Sequence, residues 1–174
     1  MPQLVAPTPR LYSSWLCAQE EWGPDAHLDG GGLGSDDDVT TERGFADWTA
    51  RLRARADRTA PVEQGLVHAT HWWITEGDTY LGSIDLRHYL NAFLLDAGGH
   101  IGYAVRPSAR GRGLAGWALA GVLHEARLLG MDRVLLTCDP GNGASARTIE
   151  RGGGVLEDVR ETLVGPKRRY WITL

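Results

Sequence analysis

The stretch Gly99–Ala115, GHIGYAVRPSARGRGLA, decides the fold of this chain. Its first part, His100–Val105, has the β-branched and aromatic residues of a short buried strand. Pro107 ends that strand, because proline lacks the amide hydrogen that a sheet ladder requires. The chain then turns through Arg110–Gly113 into an apolar segment that is predicted to be helical as far as Leu129.

The turn between this strand and this helix is predicted to bind an anion. A glycine-rich turn that precedes a helix leaves several backbone amides unpaired at the positive end of the helix dipole. Arg110 and Arg112 add two positive charges beside those amides. A pyrophosphate is the anion that such a turn suits best.

The motif Arg110-x-x-Gly113-x-Ala115 resembles the pyrophosphate signature of the GNAT superfamily of N-acetyltransferases. The strand Val134–Cys138 and the motif Asn142-x-x-Ser145, which leads to Gly153-Gly154, follow in that family's order and spacing. The resemblance covers about residues 84–156. It implies that acetyl-CoA is the cofactor and that an acetyl group is transferred directly to an amine.

The same turn also fits a dinucleotide-binding fingerprint, Gly111-x-Gly113-x-x-Gly116, with Asp139 near the expected acidic position. That alternative is disfavoured, because the first glycine of the fingerprint should follow its strand directly and here does not. Pro140 and a loop follow Asp139, where a second crossover would be needed.

Composition indicates one ordinary globular domain, residues 1–174, with a net charge of −4 and 43% hydrophobic residues. The acidic balance argues against nucleic-acid binding, and no apolar run is long enough to span a membrane. The N-terminus lacks the pattern of a secretion signal, so the expected location is the cytoplasm. Cys17 and Cys138 are too few for a disulfide framework or a zinc cluster, and no metal site is expected.

Periodicity predicts an α/β fold: a single mixed, mainly antiparallel sheet with a central parallel βαβ crossover and helices on both faces. A glycine-rich loop, Gly23–Thr41, is expected to be mobile. Besides the strand and helix described above, the predicted helices are Leu11–Trp22, Gly44–Arg58 and Asn142–Arg151. The other predicted strands are Val62–Gln64, Thr70–Glu76, Thr79–Leu86, Val134–Cys138, Val155–Leu163 and Arg169–Leu174.

The resemblance to GNAT enzymes also implies where coenzyme A binds. Its pantetheine arm is expected to lie between two strands that splay apart after the anion turn, pairing with backbone groups near Tyr103 and Val105. The expected cofactor-binding residues are Tyr103, Val105, Arg110, Gly111, Arg112, Gly113, Leu114, Ala115, Asn142 and Ser145.

Three residues are candidates for the proton transfers of catalysis. His100 stands where many family members carry a glutamate base, and His88 is the second candidate base. Ile149 replaces the tyrosine that protonates the leaving thiolate in many members, which leaves Ser145 as the nearest hydroxyl. The alternatives stay open: His100 could be a structural histidine beside a strand, and Ser145 could satisfy backbone amides at a helix start.

The acceptor is predicted to be a small cationic amine, bound by Glu21, Trp22, Asp85 and His88, with Glu20 and the run Asp36–Asp38 as further candidates. Motifs around Arg87, Tyr103 and Tyr170 resemble the kasugamycin-type aminoglycoside 2′-N-acetyltransferases, which implies antibiotic resistance. A protein or peptide N-terminus is the alternative acceptor. A catalytically silent acyl-CoA-binding module, and a homodimer of the chain, are also left open.

Overall fold

The computed structural model describes residues 1–23, 26 and 28–174, so positions 24, 25 and 27 of the predicted Gly23–Thr41 loop lie outside the described residues. Within the described ranges the chain forms seven strands and four α-helices. The strands are β1 (Gln3–Val5), β2 (Ala69–Glu76), β3 (Thr79–Arg87), β4 (Ile101–Val105), β5 (Arg133–Cys138), β6 (Val155–Arg160) and β7 (Lys167–Thr173). The α-helices are α1 (Tyr12–Trp22), α2 (Glu42–Ala54), α3 (Leu114–Leu128) and α4 (Gly143–Arg151).

The strands form two antiparallel ladders, in the orders β1-β2-β3-β4 and β5-β7-β6. The α/β class, the antiparallel strands and the helices on both faces are confirmed. The predicted single sheet is divided into two ladders between β4 and β5, the two strands that the resemblance leads us to expect to splay apart. These two strands meet only at the base of β4, and α3 carries the chain from one to the other.

Two hydrophobic clusters hold the layers together. The larger lies between the sheets and the helices α3 and α4, and it includes Ile84, Leu119 and Tyr170. The smaller packs α1 and α2 on the opposite face through a group of aromatic side chains: Trp15, Phe45, Trp48, Trp73 and Tyr80. The rings of Trp48 and Trp73 have centroids 5.9 Å apart, so these tryptophans fill a core.

Some predicted boundaries are wrong. Val62–Gln64 is not a strand, since the neighbouring end of β2 is already engaged: the N–H of Ala69 donates to the carbonyl of Arg55. The helix α2 ends at Ala54, four residues before the predicted end at Arg58. The helix α3 ends at Leu128, one residue before the predicted end at Leu129, which is 38% exposed.

Candidate active site

The gap between β4 and β5 is closed at one end by His100. Its backbone N–H donates to the carbonyl of Leu135 at 2.7 Å, and the N–H of Leu135 donates to the His100 Nδ1 at 2.8 Å. Gly99 allows this close approach, because a Cβ there would lie 2.6 Å from the Leu135 carbonyl oxygen. Beyond this contact the two strands are no longer paired, which leaves a cleft of the kind the sequence predicted.

The edge of β4 that faces this gap carries free ladder positions. On the other edge, the carbonyl of His100 accepts from the N–H of Arg87 and the N–H of Arg106 donates to the carbonyl of Leu81, both in β3. Since ladder groups alternate along a strand, the backbone groups of Ile101, Tyr103 and Val105 point into the gap. An extended chain that contains amides could pair with Tyr103 there, whereas the carbonyl of Val105, also predicted to pair with it, already accepts from the Arg110 Nε.

The turn at the mouth of the gap has the geometry of an anion site. Gly111 and Gly113 have φ values of 76° and 75°, a left-handed conformation that favours glycine. The first helical hydrogen bond runs from the N–H of Trp117 to the carbonyl of Gly113. The amides of Leu114, Ala115 and Gly116 therefore precede the ladder of α3 and point out of its N-terminus.

The two arginines of the turn have different partners. The Arg110 Nε donates to the carbonyl of Val105 at 3.1 Å, which anchors its guanidinium across the turn. The Arg112 Nη2 donates to both carboxylate oxygens of Glu76, each at 2.8 Å. Arg110 therefore contributes the positive charge that no carboxylate of the described residues compensates directly.

Glu21 and Trp22, predicted to bind the acceptor, lie elsewhere. The Glu21 carboxylate accepts from the Arg106 Nε at 2.7 Å and from the backbone N–H of Ser108 at 3.0 Å. The hydrogen bond from the Ser108 backbone lowers the pKa of Glu21. Glu21 therefore holds α1 to the segment that precedes the anion turn. Trp22 packs at the edge of the smaller core, its ring centroid 6.3 Å from that of Tyr80.

The acidic run Asp36–Asp38 shapes the start of α2. Asp37 forms an ion pair with Arg51, and the Asp38 carboxylate accepts from the hydroxyls of Thr40 and Thr41. These bonds to Thr40 lower the pKa of Asp38. The run therefore has a local structural role, and Glu20 is an exposed residue of α1.

The hydroxyl groups of Tyr103 and Ser145 form a contact that connects β4 with α4. The Tyr103 Oη lies 2.8 Å from the Ser145 Oγ, and burial raises the pKa of Tyr103 to about 12. Ser145 also contacts the Cys138 thiol, whose pKa is raised by burial. The side chain of Asn142, and not that of Ser145, caps α4 by accepting from the N–H of Ser145 at 3.0 Å. The Ser145 hydroxyl is thus turned towards the gap.

Of the two candidate bases, His100 is buried and engaged at Nδ1. Because Nδ1 accepts the Leu135 N–H, the ring hydrogen sits on Nε2, and no lone pair of the neutral ring is left for a substrate proton. Burial first, and then the charges of Arg87 and Arg133, lower the pKa of His100 to about 4. This geometry favours the structural interpretation of His100. His88 contacts the Thr70 hydroxyl through Nε2 at 2.9 Å and does not line the pocket described next.

A pocket of about 290 Å³ lies on the face of β3 and β4 that α2 covers. Asp85, 2% exposed, is the predicted acceptor residue that lines it. Its Oδ1 accepts from the N–H of Gly102 at 2.9 Å, and its Oδ2 pairs with the Arg87 Nε at 3.1 Å. The other lining residues are Leu28, Asp29, Gly30, Gly32, Leu33, Arg55, Gly65, Leu66, Val67, Arg87, Asn91, Phe93 and Leu94.

The described part of the glycine-rich loop is packed onto this pocket. A Cβ at Gly30 would lie 2.2 Å from the carbonyl oxygen of Gly102, and one at Gly32 would lie 2.7 Å from the His71 Nε2. Both glycines have positive φ values, 73° and 69°. Glycine composition predicted a free loop, whereas these positions need glycine because the backbone approaches β4 and β2 so closely.

The sequence interpretation missed Arg55 and Arg87, which both line the pocket. Arg55 lies within the predicted helix Gly44–Arg58, just beyond the observed end of α2. The signal that could have placed it is spacing: Trp48, Leu52 and Arg55 lie at i, i+4 and i+7, on one face of a helix. The first two are buried in the smaller core.

Metal sites and membrane-spanning helices are both absent from the described ranges, 1–23, 26 and 28–174. No group of three or more His, Cys, Asp or Glu side chains that could hold a metal ion was found there. Among these residues, no helix is long and apolar enough to cross a membrane.

Comparison with known proteins now identifies the family. The sequence model of the acetyltransferase (GNAT) domain matches residues 16–155, and the chain therefore belongs to the GNAT acetyltransferases. A search of curated proteins found no significant match.

Solved structures of GNAT enzymes share the fold. The ribosomal L7/L12 α-N-protein acetyltransferase RimL, in complex with coenzyme A, has a TM-score of 0.73 at 15% identity, covering 99% of this chain and 94% of that one. The microcin C7 self-immunity acetyltransferase MccE, with acetyl-CoA and AMP, has a TM-score of 0.70 at 15% identity, covering 99% and 92%. The ribosomal-protein-S5-alanine acetyltransferase of Vibrio fischeri has a TM-score of 0.67 at 14% identity, covering 99% and 91%.

Proposed function

We propose that this protein transfers the acetyl group of acetyl-CoA to a primary amine. The observation that carries the proposal is the placement of the Arg110–Gly113 turn at the mouth of the gap between β4 and β5. Three features fit a coenzyme A molecule there: outward-pointing amides at the start of α3, the charge of Arg110, and the free ladder positions of β4.

Binding of the coenzyme, binding of the amine and proton donation to the leaving group are each assigned to particular residues of the chain. The turn amides and Arg110 bind the pyrophosphate, and the backbone of Tyr103 pairs with the amides of the pantetheine arm. The acetyl thioester supplies the group that is transferred. Ser145, hydrogen-bonded to Tyr103, donates to the sulfur of the departing thiol, a role that Ile149 cannot fill. Asp85 accepts a hydrogen bond from the amine in the pocket beside Gly102.

The residues of the pocket argue against an aminoglycoside acceptor. Such a polycation would need several carboxylates, yet Glu21 and the Asp36–Asp38 run are engaged elsewhere. The pocket is lined by two arginines beside the carboxylates of Asp29 and Asp85, so its lining is not predominantly acidic. The matched structures also lend no support to the kasugamycin-type subgroup. After a small amine, the second candidate acceptor is therefore the N-terminal amine of a protein or peptide. The Asn142-x-x-Ser145 geometry and the ribosomal-protein acetyltransferases among the structural neighbours favour it.

The test is release of the coenzyme A thiol from acetyl-CoA across a panel of amines and N-terminal peptides, measured with a thiol-reactive dye. The Cys17→Ser variant should be used, because Cys17 is exposed and would react with the dye, whereas Cys138 is buried. We expect thiol release that depends on an amine and on its concentration. Binding of acetyl-CoA without acetylation of any amine would instead identify a silent acyl-CoA-binding module.

A further inference from the structure

We propose that the acceptor amine carries an anionic oxygen group, a carboxylate or a phosphate, which Arg55 and Arg87 bind in the pocket beside Asp85. This inference rests on the proposed function and names the class of its acceptor. It stands on the surplus of hydrogen-bond donors that the two guanidinium groups bring to one small pocket.

Arg55 lies just beyond α2 and is only partly satisfied by the protein. Its Nη2 donates to the carbonyl of Val67 at 3.0 Å, while its Nε is buried without an acceptor among the described residues. Burial lowers the pKa of Arg55, which shows that its charge is poorly solvated. An anion in the pocket would replace the lost solvation of this guanidinium.

Arg87, at the end of β3, is held by hydrogen bonds that use all its guanidinium nitrogens except Nη2. Its Nη1 donates to the carbonyls of Gly98 at 2.7 Å and Gly99 at 3.2 Å, and its Nε pairs with Asp85. The Nη2 lies 3.1 Å from the point that a Cβ on Gly102 would occupy, and it has no acceptor among the described residues. The free nitrogen therefore overlies β4 beside the pocket.

The Asp85 carboxylate of the pocket does not occupy the Arg55 Nε or the Arg87 Nη2. Both oxygens of Asp85 already receive hydrogens, from the Gly102 N–H and from Arg87. His71, whose Nε2 is 3.9 Å from the Asp85 Oδ2, is neutral near pH 7, because burial lowers its pKa to about 4. Asp29 also lines the pocket. Asp85 remains positioned to hold the amine, and the guanidinium groups remain positioned to hold an anion attached to it.

The volume limits the size of the acceptor group. About 290 Å³ is at the small end of the range for ligand sites, which suits an amino acid, an aminoalkyl phosphate or the first residues of a peptide. A carboxylate bound between two arginines gives charge-assisted hydrogen bonds, which are stronger than those between neutral groups. Removal of one such bond should thus change the affinity by about tenfold or more.

The experiment compares matched amines that differ only in the anion. The pairs are alanine with alaninamide, phosphoethanolamine with ethanolamine, and a peptide that begins Ser-Asp with one that begins Ser-Asn. Values of kcat/KM are measured for the wild type, for Arg55→Gln, and for Arg43→Gln as a control at an exposed arginine of α2. Calorimetric titration of each amine into the coenzyme-saturated protein gives a readout that does not require turnover.

We expect the anionic member of at least one pair to be preferred by about tenfold or more. The pair that shows this preference identifies the anion as a carboxylate, a phosphate or a peptide side chain. Arg55→Gln should abolish the preference and raise the KM of the anionic amine, and Arg43→Gln should leave both unchanged. Equal use of both members, or a preference that survives Arg55→Gln, would overturn the inference while leaving the acetyltransferase proposal intact. Binding of the anionic amines without acetylation would overturn the proposed function alone.

Discussion

The hydroxyl of Tyr103 on β4 and the hydroxyl of Ser145 on α4 lie 2.8 Å apart and bridge the two walls of the gap. Neither residue needs this contact for its secondary structure. Asn142 caps α4, and the backbone of Tyr103 belongs to the ladder. Ile149, which replaces the family's usual tyrosine, is apolar and fully buried in the larger core, and we therefore propose this pair as the proton donor.

We predict that Ser145→Ala lowers kcat by about tenfold or more and changes the KM for acetyl-CoA little, since general acid catalysis contributes at the chemical step. Tyr103→Phe should have a smaller effect, because it removes only the partner of the Ser145 hydroxyl. Steady-state kinetics with the best acceptor measure both. If kcat is unchanged in both variants, the departing thiol needs no donor from this pair.

For His100 we predict a structural role, tested by comparing His100→Ala with His100→Asn. The Asn Oδ1 can take the position of the His100 Nδ1 and accept the Leu135 N–H, whereas alanine leaves that buried N–H unpaired. We expect His100→Ala to lose about 1–3 kcal/mol of unfolding free energy and His100→Asn to recover most of it. Urea unfolding provides the measurement.

Activity of the same two variants separates this role from a catalytic one. A structural His100 predicts that His100→Asn retains most of the wild-type kcat and its pH profile. Loss of kcat by about a hundredfold in a well-folded His100→Asn protein would instead identify His100 as the base.

Stability should fall as the pH drops from 6.5 towards 4. Burial lowers the pKa of both His71 and His100 to about 4, from an ordinary value of 6.5. In this window the unfolded chain binds protons that the folded protein does not, so unfolding is favoured as the pH falls. Each group should cost about 2 kcal/mol between pH 7 and pH 5. Urea unfolding of His100→Asn should show a smaller loss over this interval than the wild type, and an equal loss would refute the assignment.

Gly113 of the turn and Gly116 of α3 offer a matched comparison of two glycine-to-alanine substitutions. Gly113 has φ of 75°, whereas Gly116 lies within α3, and a Cβ at either position would meet open space. We predict that Gly113→Ala costs about 1–2 kcal/mol through backbone strain and weakens coenzyme A binding. Gly116→Ala should be neutral or stabilising by about 0.5–1 kcal/mol. Melting temperatures and coenzyme titrations test the pair, and equal behaviour of the two variants would contradict the left-handed turn.

Much of the coenzyme half was predictable, because its signals are local. The strand at His100–Val105, the glycine turn and the helix from Leu114 follow one another within a short stretch, and the structure matches them. The interruption between β4 and β5 could not be read from strand composition. It depends on the contact of His100 with Leu135, which are distant in the chain.

The acceptor half was harder to predict, because it is assembled from distant segments. Asp85 lines the pocket and stays a predicted acceptor residue, whereas Glu21, with an equally acidic signal, lies against Ser108. The spacing of Arg55 from Trp48 and Leu52 indicates the helix face on which it lies, but the segment of Arg87 does not distinguish it from a surface arginine. Only tertiary packing brings them to the pocket. The sequence also does not indicate which acidic residues already form ion pairs or hydrogen bonds with other groups.

The most direct test of the central claim is the dissociation constant of coenzyme A for Arg110→Glu, measured by calorimetric titration beside the wild type and an Arg43→Glu control of equal charge change. We predict micromolar-range or tighter binding by the wild type, an unchanged constant for Arg43→Glu, and binding weakened by about a hundredfold for Arg110→Glu, because a charge-assisted bond is replaced by repulsion. Equal affinity in all three proteins would show that coenzyme A is not held by the Arg110–Gly113 turn.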